Sequence, residues 1–309
     1  MIKIIDYLDE DVSYLLGMLV ARGTILEHRG HYTISIEIPY SNLRIGESPW
    51  DREGDINALL VSVDVIINRL SELTTNTPFK KPGDDYVSIV FEIPRKTLFI
   101  RDIQMLLNNK KDYTEFSVPE EIFISPISFK KEFMRGFVDV NGKVRKSNAY
   151  INGGHRIYID VLNQNWHLPI QICDLLQNHL NIPVQTMTWG HPNLRNSPDQ
   201  KWTKREHQIK VYNHDFESIG FYITHKNNKS QEFAKENKEK GISSSICDPI
   251  KKMERKIRKN PPHPDENDKD LPDEIRGNHY DTFWQICRDL GCKEFNQQKF
   301  MNNYMNEEE

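Results

Sequence analysis

Two apolar segments, LLGMLVARG (15–23) and FMRGFVDVNG (133–142), each place a glycine inside a helical run and a second glycine six residues on. Gly17 and Gly136 stand 119 residues apart. A glycine in mid-helix costs up to ~1 kcal/mol against alanine. That cost is offset when the missing side chain lets two helix backbones meet. Gly17 and Ala21 are four apart and share a face, as do Gly136 and Val140. The pair therefore predicts two helices crossing at close range. Gly23 and Gly142 suit the left-handed position just past a helix end. Two ordinary core helices with incidental glycines would not need the matched Gly-x(5)-Gly spacing, nor the same succession of elements after each.

That succession is visible in the periodicities. After a helix over 11–22, TILEH and HYTISIEIPY read as strands, with Ile34, Ile36 and Ile38 alternating with Thr33, Ser35 and Glu37. An amphipathic helix is predicted over 55–73, a strand over 85–94 and a helix over 96–109. The order then repeats. A helix spans 127–142. KVRKSNAYI and HRIYIDVL form a hairpin turning at Asn152-Gly153-Gly154. A helix follows over 167–181, then strands VQTMTWG and HQIKVYNH, and a last short helix DFESIGFYI. The predicted class is α+β: two pseudo-symmetric αββαββα-type repeats at 1–118 and 119–226. A C-terminal extension, 227–309, is expected to be helical or irregular. Its opening KNNKSQEFAKENKEKG reads as exposed helix or linker, with the strongly basic KKMERKIRKN and the acidic, proline-rich PPHPDENDKDLPDE further on.

At these residues the chain resembles the single-chain LAGLIDADG homing endonucleases, over roughly residues 10–225. The second segment fits with Met134, Gly136, Phe137, Val138, Asp139 and Gly142; the first with Leu15, Gly17, Met18, Leu19, Ala21 and Gly23. The resemblance implies a saddle of antiparallel strands lying in the DNA major groove, with the motif helices at the pseudo-twofold axis. It also implies an acid just before each terminal glycine, binding the Mg²⁺ that activates water at the scissile phosphate. Here the sequence departs from the pattern. Arg22 precedes Gly23 and Asn141 precedes Gly142. Arginine is a permanent cation and cannot ligate Mg²⁺, and Asn141 offers one neutral carbonyl. Asp139 and Glu132 are the nearby carboxylates, but Asp139 is turned about 200° from position 141 if the helix continues. The expectation is a sequence-specific double-stranded DNA binder without the usual nuclease activity, acting in regulation or in restriction or phage defence. It would need no cofactor. The alternative is a Mg²⁺-dependent DNA endonuclease with non-standard or partner-supplied acids.

Net charge is −4, so DNA binding must rest on local charge. From Gly142 to Ile159 there is no acid, while Lys143, Arg145, Lys146 and Arg156 are basic and His155 is available. Alternation in HRIYIDVL puts Ile157, Ile159 and Val161 inward, and Arg156, Tyr158 and Asp160 outward. Lys201, Lys204, Arg205 and Lys210 form a further basic group. In the first repeat only Arg22, Arg29, His31, Arg44 and Arg52 contribute, so binding is expected to lean on the second.

Cys247, His263, His279, Cys287 and Cys292 lack regular zinc spacing, and Cys173 in IQICDLL reads as a core residue. A ββα-type nuclease built from His263, Asn278 and His279 is not demanded by their spacing. The helix predicted at 280–292, with Phe283 and Trp284, is expected to pack or to dock a protein partner. Four cysteines, no signal-peptide pattern and no long apolar run suggest a cytoplasmic protein outside the membrane, monomeric in its DNA-binding core.

Overall fold

The computed structural model describes residues 8–45, 56–146, 154–162, 167–191 and 206–243. Helix α1 (Glu10–Arg22) starts at Asp9, whose carboxylate accepts from the Val12 amide at 2.8 Å and satisfies one of the orphan donors of the first turn. It runs straight into β1 (Gly23–Glu27), followed by β2 (His31–Pro39), a single turn α2 (Tyr40–Leu43), α3 (Ile56–Leu70), β3 (Phe79–Pro82), β4 (Tyr86–Pro94) and α4 (Leu98–Leu106). The short α5 (Glu120–Ile124) leads into the second repeat: α6 (Ile127–Asn141), β5 (Gly142–Arg145), β6 (Arg156–Leu162), α7 (His167–Asp174), β7 (Thr186–His191), β8 (Glu206–Tyr212) and α8 (Thr224–Glu239). The two antiparallel sheets have the same strand order, β1-β2-β4-β3 and β5-β6-β8-β7. This is the duplicated α+β architecture that the paired motifs imply.

The helices α1 and α6 cross between the two sheets. A Cβ on Gly17 would lie 1.9 Å from the Phe133 carbonyl oxygen, and one on Gly136 would lie 2.0 Å from that of Tyr14. Backbone rests on backbone at both points, reciprocally. Tyr14, Leu15, Leu16, Met18 and Leu19 of α1 and Phe133, Met134, Phe137, Val138 and Val140 of α6 are fully buried. They join Ile34, Ile36 and Ile38 of β2 and Ile157 and Ile159 of β6 in one core.

The terminal glycines behave differently from expectation. Gly23 (φ −95°) and Gly142 (φ −86°) are extended, not left-handed. The helices end by folding directly into strands. A Cβ at Gly23 would come within 2.6 Å of the Leu19 side chain, and one at Gly142 within 2.5 Å of the Val138 oxygen. Glycine is needed there for space, not for a positive φ.

The segment DFESIGFYI is no helix beyond one 3₁₀ turn, Phe216–Ser218, because Gly220 takes φ +65° and redirects the chain. The charged run expected to be an exposed helix or linker is a helix, α8, but one with a buried face. Lys226, Ser230, Phe233, Ala234 and Asn237 point inward at helical spacing. Most of these residues are polar, so an apolar periodicity could not reveal them. Edge strand β3 also went unread: Phe79 is exposed and its neighbours are Lys80, Lys81 and Pro82, the charges and proline that blunt an edge. The hairpin turn at 147–153, Arg52, and everything after residue 243, including the zinc candidates and the 280–292 helix, lie outside the described residues.

Candidate nucleic-acid interface

The last residues of α1 and α6 meet. Arg22 Nε donates to Asn141 Oδ1 at 2.7 Å, and Asn141 Nδ2 donates to the Ala21 carbonyl at 3.1 Å. Each residue immediately precedes a glycine that begins a strand, and the duplication makes the two positions equivalent. A permanent cation and an amide thus face each other where the resemblance implies two metal-binding acids. Asn141 is buried and its one oxygen accepts from the guanidinium, which leaves it a poor ligand for a second cation.

The other two carboxylates considered for metal are occupied. The helix continues past Asp139, so its side chain points away from position 141. Asp139 is fully buried and accepts from the Tyr14 hydroxyl at 2.7 Å and the Tyr222 amide at 3.1 Å. Burial raises its pKa, while Lys226 and these hydrogen bonds oppose the rise. Lys226, also fully buried, donates to the Val138 and Asp139 carbonyls at 3.1 and 3.0 Å, capping the end of α6. Burial lowers its pKa to about 8; Asp139 opposes that shift and Lys143 adds to it. Burial, then Asp139, pushes the Tyr14 hydroxyl well above its usual pKa. Glu132 pairs with Arg69 at 2.7 Å and with Arg135. Arg69 in turn lies 4.3 Å over the Tyr14 ring and 4.8 Å over that of Tyr222. Among the described residues, no three His, Cys, Asp or Glu side chains stand together as a metal cluster would require. The side chains at the helix ends do not fit Mg²⁺.

Beyond the helix ends, the sheets differ in charge. In the second sheet the face opposite Ile157 and Ile159 carries Lys143 and Arg145 on β5, Tyr158 on β6 and Lys210 on β8, all half-buried, together with Arg156, Asp160, Gln208 and Tyr212, which are buried. Register aligns Lys143, Tyr158 and Lys210 in one row across three strands, and Arg145, Arg156 and Tyr212 in the next. Lys143 is tied to Asp160 by an ion pair, and Gln208 Nε2 donates to the same carboxylate at 2.8 Å. Arg156 is buried, its guanidinium 4.9 Å over the Tyr212 ring. Lys146 is exposed just past β5. His155 does not belong to this face. It is buried against Phe233 of α8, with Nε2 2.8 Å from Glu236, because it shares the inward parity of Ile157. Lys201, Lys204 and Arg205 lie outside the described residues.

On the first sheet the outward face presents His31, Thr33, Ser35 and Glu37 of β2 beside Ser88, Val90 and Glu92 of β4. Exposed Leu26 and Phe79 flank them. Arg29 sits in the β1–β2 turn, and the rings of His28 and His31 stack at 4.6 Å. Arg44 follows α2, its amide donating to the Tyr40 carbonyl at 3.0 Å. The first sheet offers a mixed, weakly charged surface, and the second a cationic one.

Sequence reasoning missed the Tyr14–Asp139–Lys226 network. Tyr14 read as one more apolar position, and Lys226 was hidden in a charged run. Tyr14 and Phe133 hold equivalent positions in the two segments, and the carbonyl of each abuts the glycine of the other helix.

No family model matches the sequence, and no curated protein matches it. Solved structures that align with this chain include I-DmoI in complex with DNA and Mn, at 16% identity and a TM-score of 0.37, covering 71% of this chain and 96% of that one. Full-length WhiA from Thermatoga maritima aligns at 15% identity and a TM-score of 0.43, covering 82% of this chain and 68% of that one. The N-terminal LAGLIDADG domain of WhiA aligns at 13% identity and a TM-score of 0.36, covering 70% of this chain and 87% of that one. No helix among the described residues is long and apolar enough to cross a membrane.

Proposed function

We propose that this chain binds double-stranded DNA sequence-specifically along the outward faces of its sheets, chiefly the second, and does not cleave it. The observation that carries this reading is the group of partly exposed cations Lys143, Arg145, Lys146 and Lys210 on one face of β5, β6 and β8, which begins where α6 ends at the Arg22–Asn141 contact. Side chains on a strand face are spaced to reach base edges and phosphates in a major groove. Arg22, half-buried at the junction of the repeats, contributes a fixed positive charge at the middle of the bound site. The engagement of Asn141, Asp139 and Glu132 with protein groups supports binding without Mg²⁺ chemistry. A reader of this kind serves regulation, or target recognition within a restriction or phage-defence system.

The test is selection from a randomised duplex library at low salt, with Mg²⁺ or with EDTA, recovering bound and cut molecules separately. Enrichment of one site in both conditions, without cutting, is expected. Binding should weaken steeply with salt as phosphate counterions are released. Mg²⁺-dependent cutting would overturn the assignment of Arg22 and Asn141. No enrichment by a folded protein would overturn DNA recognition itself.

A further inference from the structure

The outward row on the second sheet holds an arrangement that DNA contact alone does not explain. The Tyr158 ring, on the central strand β6, has the Arg145 guanidinium 6.0 Å from its centroid on one neighbouring strand and the Lys210 ammonium 5.3 Å away on the other. Lys210 is its direct cross-strand partner, and Arg145 is reached diagonally past Lys143. Lys143 does not join them because Asp160 holds it. Two like charges gather around one ring although they repel each other. The negative face of the aromatic quadrupole supplies the opposing attraction.

We infer that Tyr158 is a positioning residue: its ring, not its hydroxyl, holds Arg145 and Lys210 in fixed places over the sheet so that they meet DNA phosphates already ordered. This rests on the DNA reading above. Lysine and arginine lose considerable rotamer freedom when they bind a phosphate. A ring that has already confined two of them reduces the ordering left to be done on binding. Asp160 on the same face acts in the opposite sense, by occupying Lys143.

The experiment compares Tyr158→Phe, Tyr158→Leu and Lys210→Ala, each checked for unchanged thermal unfolding, on one selected duplex over a salt series. Tyr158→Phe is expected to bind as the unaltered protein does. Tyr158→Leu is expected to bind about 5- to 150-fold more weakly, from the order of magnitude of two side chains left to be immobilised. Its salt slope should be unchanged, because both cations remain. Lys210→Ala should lower the slope by about one. In the DNA-free protein, the ring should shift the Lys210 Cε–H NMR signal upfield in the unaltered chain and in Tyr158→Phe, but not in Tyr158→Leu. Equal weakening in the Phe and Leu variants would mean that the hydroxyl touches DNA, and would overturn the inference. So would unweakened binding by Tyr158→Leu, or an unshifted lysine signal. If the unaltered protein binds no duplex while the lysine signal is shifted, DNA recognition fails and the ring–cation geometry stands alone.

Discussion

Replacing Gly17 by alanine is the sharpest test of the helix crossing. The new Cβ would sit 1.9 Å from the Phe133 carbonyl oxygen, where real contacts essentially never fall below 3.0 Å. The helices would have to part by roughly 1 Å along an interface packed too densely to absorb it. Backbone flanks the site, so no side chain can swing aside. Overpacking costs typically ~1–3 kcal/mol, and this geometry belongs at the upper end. Alanine returns up to ~1 kcal/mol of helix propensity. The net expectation is a loss of ~2 kcal/mol or more, or roughly 3 °C or more in Tm for a chain of 309 residues. Gly136→Ala should behave alike, since its Cβ would meet the Tyr14 oxygen at 2.0 Å. The double variant should lose clearly less than the sum, because one opening relieves both clashes. Urea titration followed by far-UV circular dichroism measures all three. Gly30→Ala is the control: nothing lies within 4 Å of its Cβ, so stability should hold. A neutral or stabilised Gly17→Ala would refute the argument, since propensity alone predicts that result.

Replacing both Arg22 and Asn141 with aspartate should create a cation site, since their side chains already meet at 2.7 Å. Two carboxylates there would repel until a divalent ion joined them, so Mn²⁺ should raise the Tm of the double variant and leave that of the unaltered protein unchanged. Asp160→Asn should release Lys143 and remove a negative charge from the binding face, tightening DNA binding several-fold in fluorescence anisotropy. His155→Ala should lower thermal stability by loosening α8, yet leave the salt slope of DNA binding unaltered. Lys226 should give a pH signature. Its pKa falls from 10.5 unfolded to about 8 folded, so between those values the unfolded chain holds more protons at this group. Its contribution to stability therefore rises with pH across that window, and is at its least favourable below it. The difference in unfolding free energy between the unaltered protein and Lys226→Gln, followed from pH 7.5 to 10, should shift accordingly in favour of the lysine.

The parts of this fold that could be read from sequence are those in which side-chain type follows burial. In β2, isoleucine and polar residues alternate without a break, and the structure buries each isoleucine. The glycine pairs were readable because only close backbone approach makes a helical glycine worthwhile at two matched places. The failures share a cause. In α8 a lysine, a serine and an asparagine occupy inward positions, satisfied by backbone carbonyls, by Asn213 and by His155. Their burial depends on partners distant in sequence, and no local window contains those partners. His155 was misplaced for a related reason: it stands just before β6, and its composition suggested a basic hairpin although its parity is inward.

The same distinction applies at the helix ends. Sequence alone supplied an arginine and an asparagine in place of two acids, which removes the reason for a metal but says nothing of what replaces it. The structure adds that the two substitutions are complementary, since the amide accepts from the guanidinium and donates to the helix that carries it. Arginine facing a carboxylate here would make a different contact: an ion pair that neutralises the centre of the face. With asparagine as the acceptor, the hydrogen bond is kept and the positive charge survives. A protein that must hold a phosphate at this point gains from that choice. One that must hold Mg²⁺ there could not use it.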